Sequence, residues 1–256
     1  MSLVTWERHG DAVTLGLDRP EKKNAVNEQL LEELRVLCEQ VEKDRGIRVV
    51  LLRGEGGCFC AGADLARLGA SDEASLRRFH DLREEVFSRI ETFPCPTLAV
   101  IEGYALGTGL ELALCADFRV ASQRAFLGVP SSRLGIVESY HYLARLVRSV
   151  GLARANYLVL TGERVAAEEA HRVGLVEVVA AQEDLDERVA MLVGTLAGNA
   201  AASMGRSKQV LRECAADPWL RSVVDPALPM VESIGRSEMH EGTRAFLEKR
   251  KAEFTP

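Results

Sequence analysis

The sequence is poor in aromatic residues, which make up 5% of it, and holds only 8 prolines and 21 glycines in 256 residues. So little glycine and proline excludes a collagen-like chain and argues against a disordered one. No long basic run occurs: 32 Lys and Arg stand against 38 Asp and Glu, a net charge of −6. A surface built for nucleic acid or for an anionic membrane is therefore not expected. The six cysteines (Cys38, Cys58, Cys60, Cys95, Cys115 and Cys214) suggest no disulfide ladder, and Cys58 and Cys60 stand too close together for a zinc knuckle. Reduced thiols in a cytoplasmic protein are expected. The first residues lack a basic segment followed by an apolar one, so no signal peptide is expected. The longest apolar stretch, 95–116, carries Glu102, Glu111 and several glycines, which suits buried core better than lipid.

What is present is ample core material. With 47% hydrophobic and 27% charged residues, the chain has the size and content of one large domain with a small appendage. Residues 12–17 alternate and end at Asp18-Arg19-Pro20, a strand and then a turn. Asn27 opens a helix whose apolar stripe is Leu30, Leu31, Leu34, Leu37, Cys38 and Val41. Residues 49–52 are wholly apolar, as expected of a strand covered on both faces, and run into a glycine-rich loop ending near Asp64. Ser71 is expected to cap the next helix, with Leu76, Phe79, Leu82, Val86, Phe87 and Ile90 on its inner face. The pattern then recurs: a covered strand at 97–101, a second glycine loop at 103–109 and a short helix at 110–114. Short strands are predicted at 118–121 and 125–127, and a further one near 175–179 within a mostly helical second half. Nothing after about Asp184 reads as strand. The division expected is an α/β core over residues 1–183 and a helical region over 184–256.

Familiar motifs fail. There is no phosphate-binding loop and no nucleophile elbow, and Gly107-Thr108-Gly109 is followed by Leu112 where a dinucleotide fingerprint needs glycine. The five histidines form no metal-binding pair, so no metal site is expected. The two glycine loops remain. Each leads from a buried strand towards a helix, leaving backbone N–H groups free, and glycine lets a ligand come close. Two such groups aimed at one point make an oxyanion hole, and Glu111, one turn into the helix, could carry protons. The same residues also fit two tight turns and a helix-capping carboxylate.

Phe59-Cys60-Ala61-Gly62-Ala63-Asp64-Leu65 and the segment from Ile101 through Gly107-Thr108-Gly109 to Ala113 resemble the two signatures of the crotonase, or enoyl-CoA hydratase/isomerase, superfamily. Residues 19–27 resemble its first characteristic segment, and residues 245–254 its C-terminal tail. The resemblance implies a crotonase-like α/β spiral of ββα turns, with a C-terminal helical trimerisation region giving homotrimers or dimers of trimers. It implies an acyl-CoA thioester as substrate, coenzyme A entering as part of that substrate and no separate cofactor. Carried over by position, the Ala63 and Thr108 N–H groups would form the oxyanion hole, with threonine departing from the usual glycine at 108. Lys22, Lys23, Ala25, Ala61, Asp64, Leu65 and Ala66 would line the coenzyme A path. Phe246 and Lys249 would approach its adenine or phosphate end, on this subunit or a neighbour. Glu111 would be one of the two catalytic glutamates of the hydratases. The second falls at Ser131, so it is absent, and the following glycine-rich turn is replaced by a segment containing Glu138, Tyr140 and His141.

Hydration of a 2-enoyl thioester suits two carboxylates, whereas moving a double bond through an enolate needs one proton carrier. Glu111, with Glu138 as a further candidate, therefore favours isomerase-type chemistry slightly. Decarboxylation of a malonyl-type thioester held by Tyr140 or His141, and acyl-CoA binding without catalysis, remain alternatives.

Overall fold

The computed structural model describes residues 2–68, 72–217, 221–225, 227–234 and 236–254. The chain opens with a hairpin, β1 (Val4–His9) and β2 (Ala12–Leu17), followed by α1 (Glu28–Lys43) and β3 (Val49–Gly54). After α2 (Leu65–Leu68) and α3 (Glu73–Thr92) come β4 (Thr97–Ile101), β5 (Tyr104–Leu106) and α4 (Thr108–Leu114). The next turn is β6 (Phe118–Ser122), β7 (Phe126–Gly128) and α5 (Tyr140–Thr161), which bends at Gly151 (φ 73°). Then follow β8 (Arg164–Ala166), α6 (Ala167–Arg172) and β9 (Val178–Ala180). The remaining helices are α7 (Leu185–Ala197), α8 (Ala201–Ala216), α9 (Leu228–Ser233) and α10 (Ser237–Leu247).

Two sheets result. The larger has the order β1-β2-β3-β4-β6-β9 and is parallel from β2 onward; the smaller is β5-β7-β8. The chain visits the large sheet with β4 and the small one with β5, then repeats the move with β6 and β7. That alternation is the spiral of ββα turns, and it stacks the loops after β3 and β4 at one end of the sheets.

The apolar run at 49–52 has the cause expected of it. Val50 and Leu52 point into the main core with Leu31 of α1 and Phe87 of α3. Val49 and Leu51 point the other way, into a second core where Leu98, Val100 and Val120 meet Leu185 and Val189 of α7. Alternate side chains of this run thus feed two cores, which leaves no polar position within residues 49–52.

Local signals fix the helix starts. The Asn27 side chain accepts from the Leu30 N–H at 2.9 Å, satisfying one orphan donor of α1. Ser71 lies outside the described residues; the cap of α3 is Asp72, whose Oδ1 accepts from the Ser75 N–H at 2.8 Å. Three strands carry no clear sequence signal, and one of them, β5, lies within the second glycine loop expected at 103–109. In β1 the second half is exposed and charged, and β8 is three residues long, formed by its pairing with β7. Such strands are made by partners rather than propensity. Among the described residues no helix is long and apolar enough to cross a membrane.

Candidate active site

The site is assembled from backbone first. At Val26 a parallel bridge to Ala63 uses the Gly62 carbonyl (2.8 Å from the Val26 N) and the Asp64 N–H (2.9 Å from the Val26 O). In such a pairing the bonds pass to the flanking residues, so the N–H of Ala63 itself is left out. Thr108 is the first residue of α4, where an N–H has no helical acceptor. Among the described residues neither N–H donates to a backbone carbonyl.

The two loops carrying these donors are in backbone contact. Cys60 N donates to Tyr104 O at 2.8 Å and Leu106 N to Cys60 O at 3.1 Å. A Cβ added at Gly109 would stand 2.3 Å from Cys60 O, and one at Gly62 would stand 3.0 Å from Leu106 O. Ala63 follows Gly62 and Thr108 precedes Gly109, so the free N–H groups flank this seam. The unusual backbone angle falls on Gly107 (φ 51°), which leaves Thr108 helical and unstrained. Gly109→Ala is accordingly expected to destabilise the protein by roughly 1–3 kcal/mol, because a carbonyl cannot swing away as a side chain can. Urea unfolding checks this, and an unchanged midpoint would contradict the contact.

Glu111 stands one turn below Thr108 and is wholly buried. Burial pushes its carboxyl up to about 7, against the pull of Arg83 and Arg145 and with help from Glu138 and Glu84. Arg83 Nε lies 3.3 Å from Oε2, and Arg145 Nη1 lies 3.4 Å from Oε1. Burial wins because Arg145 is shared. It also binds Glu84 at 2.6 and 2.9 Å and Glu91 at 3.0 Å. Burial pushes Glu84 upward too, yet hydrogen bonds from Arg145 and Ser88 hold it below the usual carboxylate range.

Ser131 is buried and its hydroxyl donates to Glu138 Oε1 in a very short contact. Glu138 thus reaches the position where the resemblance leaves a carboxylate missing. Tyr142 is buried, with a hydroxyl that has no hydrogen-bond partner among the described residues. Burial pushes that hydroxyl far above its ordinary range, reinforced by Glu138 and Glu111. Tyr140, by contrast, is 93% exposed. His141 is also exposed, its Nδ1 3.8 Å from Glu84 and its ring 6.3 Å from that of His80.

The expected coenzyme A residues fall into two groups. Lys23 and Ala25 are tied to Ala61 and Asp64, and Lys22 acts on Asp64 through its charge: Ala61 N donates to Lys23 O at 2.9 Å, and Arg19, whose Nη1 donates to Ala25 O, pairs with Asp64 at 2.8 Å. Hydrogen bonding from Arg19 holds the Asp64 carboxyl below its usual range. Lys23 and Asn24 both have φ above +50°, or at it, and the buried Asn24 amide locks this turn by donating to the Glu55 and Cys58 carbonyls. Lys23 Nζ lies 5.2 Å from the centre of the Tyr104 ring. Leu65 and Ala66 open α2 and are exposed. Phe246 and Lys249 are also exposed, at the end of α10, and no hydrogen bond, ion pair or ring contact among the described residues joins them to the glycine loops. Cys58 and Cys60 are buried thiols; burial pushes Cys60 up to about 12, which rules it out as a ready nucleophile.

A family model described as enoyl-CoA hydratase/isomerase matches residues 8–256. The chain belongs to the enoyl-CoA hydratase/isomerase family. It is 34% identical over 257 residues to the crotonyl-CoA hydratase of Syntrophomonas wolfei, covering 98% of this chain and 97% of that protein. It is 33% identical to the 2,3-dehydroadipyl-CoA hydratase of Escherichia coli, over 99% of both. The solved structure of an enoyl-CoA hydratase/carnithine racemase from Magnetospirillum magneticum matches with a TM-score of 0.93 at 30% identity, over 100% of this chain and 96% of that one. This enoyl-CoA hydratase/isomerase family member is therefore an enzyme acting on acyl-CoA. Four site residues escape sequence reading: Arg83, Glu84, Tyr142 and Arg145. Arg83 carried a usable signal, since it lies four residues after Phe79 and three before Val86, a charge on the buried stripe of α3.

Proposed function

We propose that the enzyme stabilises the enolate of an acyl-CoA thioester and interconverts 3-enoyl and 2-enoyl thioesters, with Glu111 as proton carrier. The Ala63 and Thr108 N–H groups take up the charge that develops on the thioester oxygen. Glu111 removes a proton from C2 of the 3-enoyl chain, the electrons delocalise onto the thioester oxygen, and the same carboxyl returns the proton at C4. The observation that carries this reading is a wholly buried carboxyl in the first turn of α4, the one such carboxyl among the described residues, pushed up to about 7, where it can both accept and release a proton near neutrality.

Hydration is the second reading, and one contact favours it: Glu138, held by Ser131, is close enough to raise the Glu111 carboxyl. Decarboxylation has less support. Tyr140 is solvent-exposed, and a carboxylate brought to His141 would meet Glu84. For assembly, the exposed end of α10 suits a trimer in which Phe246 and Lys249 meet the coenzyme A of a neighbouring subunit.

Turnover of matched 2-enoyl and 3-enoyl thioesters by the wild type and by Glu138→Gln separates the readings. Isomerisation that survives Glu138→Gln supports the first. Ready addition of water that Glu138→Gln abolishes would favour the second.

A further inference from the structure

Arg83 is a costly residue where it stands. It is 7% exposed, on the apolar stripe of α3 beside Phe79 and Val86, where a leucine would pack without desolvating a charge. Arg145 explains itself, because it joins Glu84, Glu91 and Glu111 across two helices. Arg83 joins fewer groups. Among the described residues its only carboxylate partner is Glu111, at 3.3 Å. Its Nη2 reaches the Ser139 hydroxyl at 3.5 Å, and its guanidinium lies 5.9 Å from the centre of the Phe79 ring. Among the described residues neither Arg83 Nε nor Glu111 Oε2 has a well-formed hydrogen bond.

A second anion is not what Arg83 awaits. Around Glu111, α3 brings Arg83 and Glu84, and α5 brings Arg145 with the buried Tyr142 hydroxyl. The loop before α5 brings Glu138, and the residue after α4 brings the Cys115 thiol; Glu91 joins through Arg145 and is itself paired with Arg148 and Arg212. Three carboxyl groups, those of Glu111, Glu84 and Glu138, thus face two guanidinium groups, so the acids around Glu111 exceed the cations.

We infer that Arg83 is a positioning residue: with Arg145 on the other oxygen, it fixes the plane of the Glu111 carboxylate. This rests on the reading of Glu111 as proton carrier. Removing Arg83 leaves Glu111 among acids with one shared arginine, so the carboxyl grips its proton more firmly. It also frees the Oε2 side to rotate.

The test is the pH dependence of turnover for the full-length wild type, Arg83→Gln, Arg83→Lys and Glu111→Gln, with thermal melts as the folding control. For Arg83→Gln we expect KM for the acyl-CoA to change little, kcat near neutral pH to fall about tenfold or more, and the rising limb to move up by about one to two pH units. Arg83→Lys restores the charge but not the planar fork, so the limb returns towards its wild-type position while kcat stays reduced. A limb unmoved in Arg83→Gln, or a change confined to KM, would overturn the proposal. Should Arg83→Gln fail to fold, Arg83→Lys decides alone, and full wild-type kcat in that variant would overturn it. A Glu111→Gln enzyme with normal turnover would instead defeat the reading of Glu111 itself, whatever Arg83 does.

Discussion

Replacing Glu111 with glutamine is expected to lower turnover on the order of 10²–10⁴-fold while making the protein more stable above neutral pH. The activity loss follows from removing the buried carboxyl that takes and returns the proton in the proposed reaction. The stability gain follows from linkage. In the unfolded chain the carboxyl titrates near its ordinary 4.5, and in the folded protein burial pushes it up to about 7. Below the lower value both states are protonated and the residue costs nothing. Between the two, the unfolded chain releases a proton that the folded one keeps, so stability falls as pH rises. Above about 7 the deficit is complete and amounts to roughly 3 kcal/mol. Glutamine has no proton to lose and escapes this cost. Urea unfolding of both proteins should therefore show coincident stabilities under acid conditions and a gap that widens towards mild alkali. A gap that closes with rising pH would mean that Arg83 and Arg145 outweigh burial.

The second large effect is expected at Ala63. Proline there removes one backbone N–H, and loss of one oxyanion donor costs on the order of 10²–10³-fold in kcat. The substitution spares the local hydrogen bonds, because the bridge to Val26 runs through the Gly62 carbonyl and the Asp64 N–H. Substrate affinity should change much less than turnover, since the ground-state carbonyl carries little charge. Steady-state kinetics with a melting curve as control checks this, and an unchanged kcat in a folded variant would remove Ala63 from the mechanism. Thr108 is a weaker place to intervene: its N–H belongs to α4, and the left-handed backbone that orients it is at Gly107.

Much of this was legible in the residues. The apolar run at 49–52 announced a strand with two covered faces, and Asn27 announced the start of α1, because both signals are local. The first glycine loop was legible as a loop, whereas the middle of the second forms β5 and its end belongs to α4; the resemblance of both to the crotonase signatures led to the family. That the backbones of Cys60 and Gly109 touch was not legible, since it depends on how β4 and β5 diverge into different sheets. The surroundings of Glu111 were hidden for the same reason. Arg83 and Arg145 lie on helices 28 and 34 residues away from it on either side, and only the packing of α3 and α5 against α4 brings them to its two oxygens. Ser131 read as a lost carboxylate; the fold shows that its hydroxyl instead carries that of Glu138. A seven-residue separation with no regular helix spanning it gives no periodicity from which to infer such a contact.

Solvent deuterium entering a 3-enoyl thioester and its 2-enoyl product, followed by proton NMR, tests the role of Glu111 most directly. With the wild type, deuterium should appear at C2 of the substrate or C4 of the product, at a rate that rises with pH through an apparent value near 7. In Glu111→Gln it should fall in step with turnover. Exchange that persists undiminished in Glu111→Gln would show that another group carries the proton.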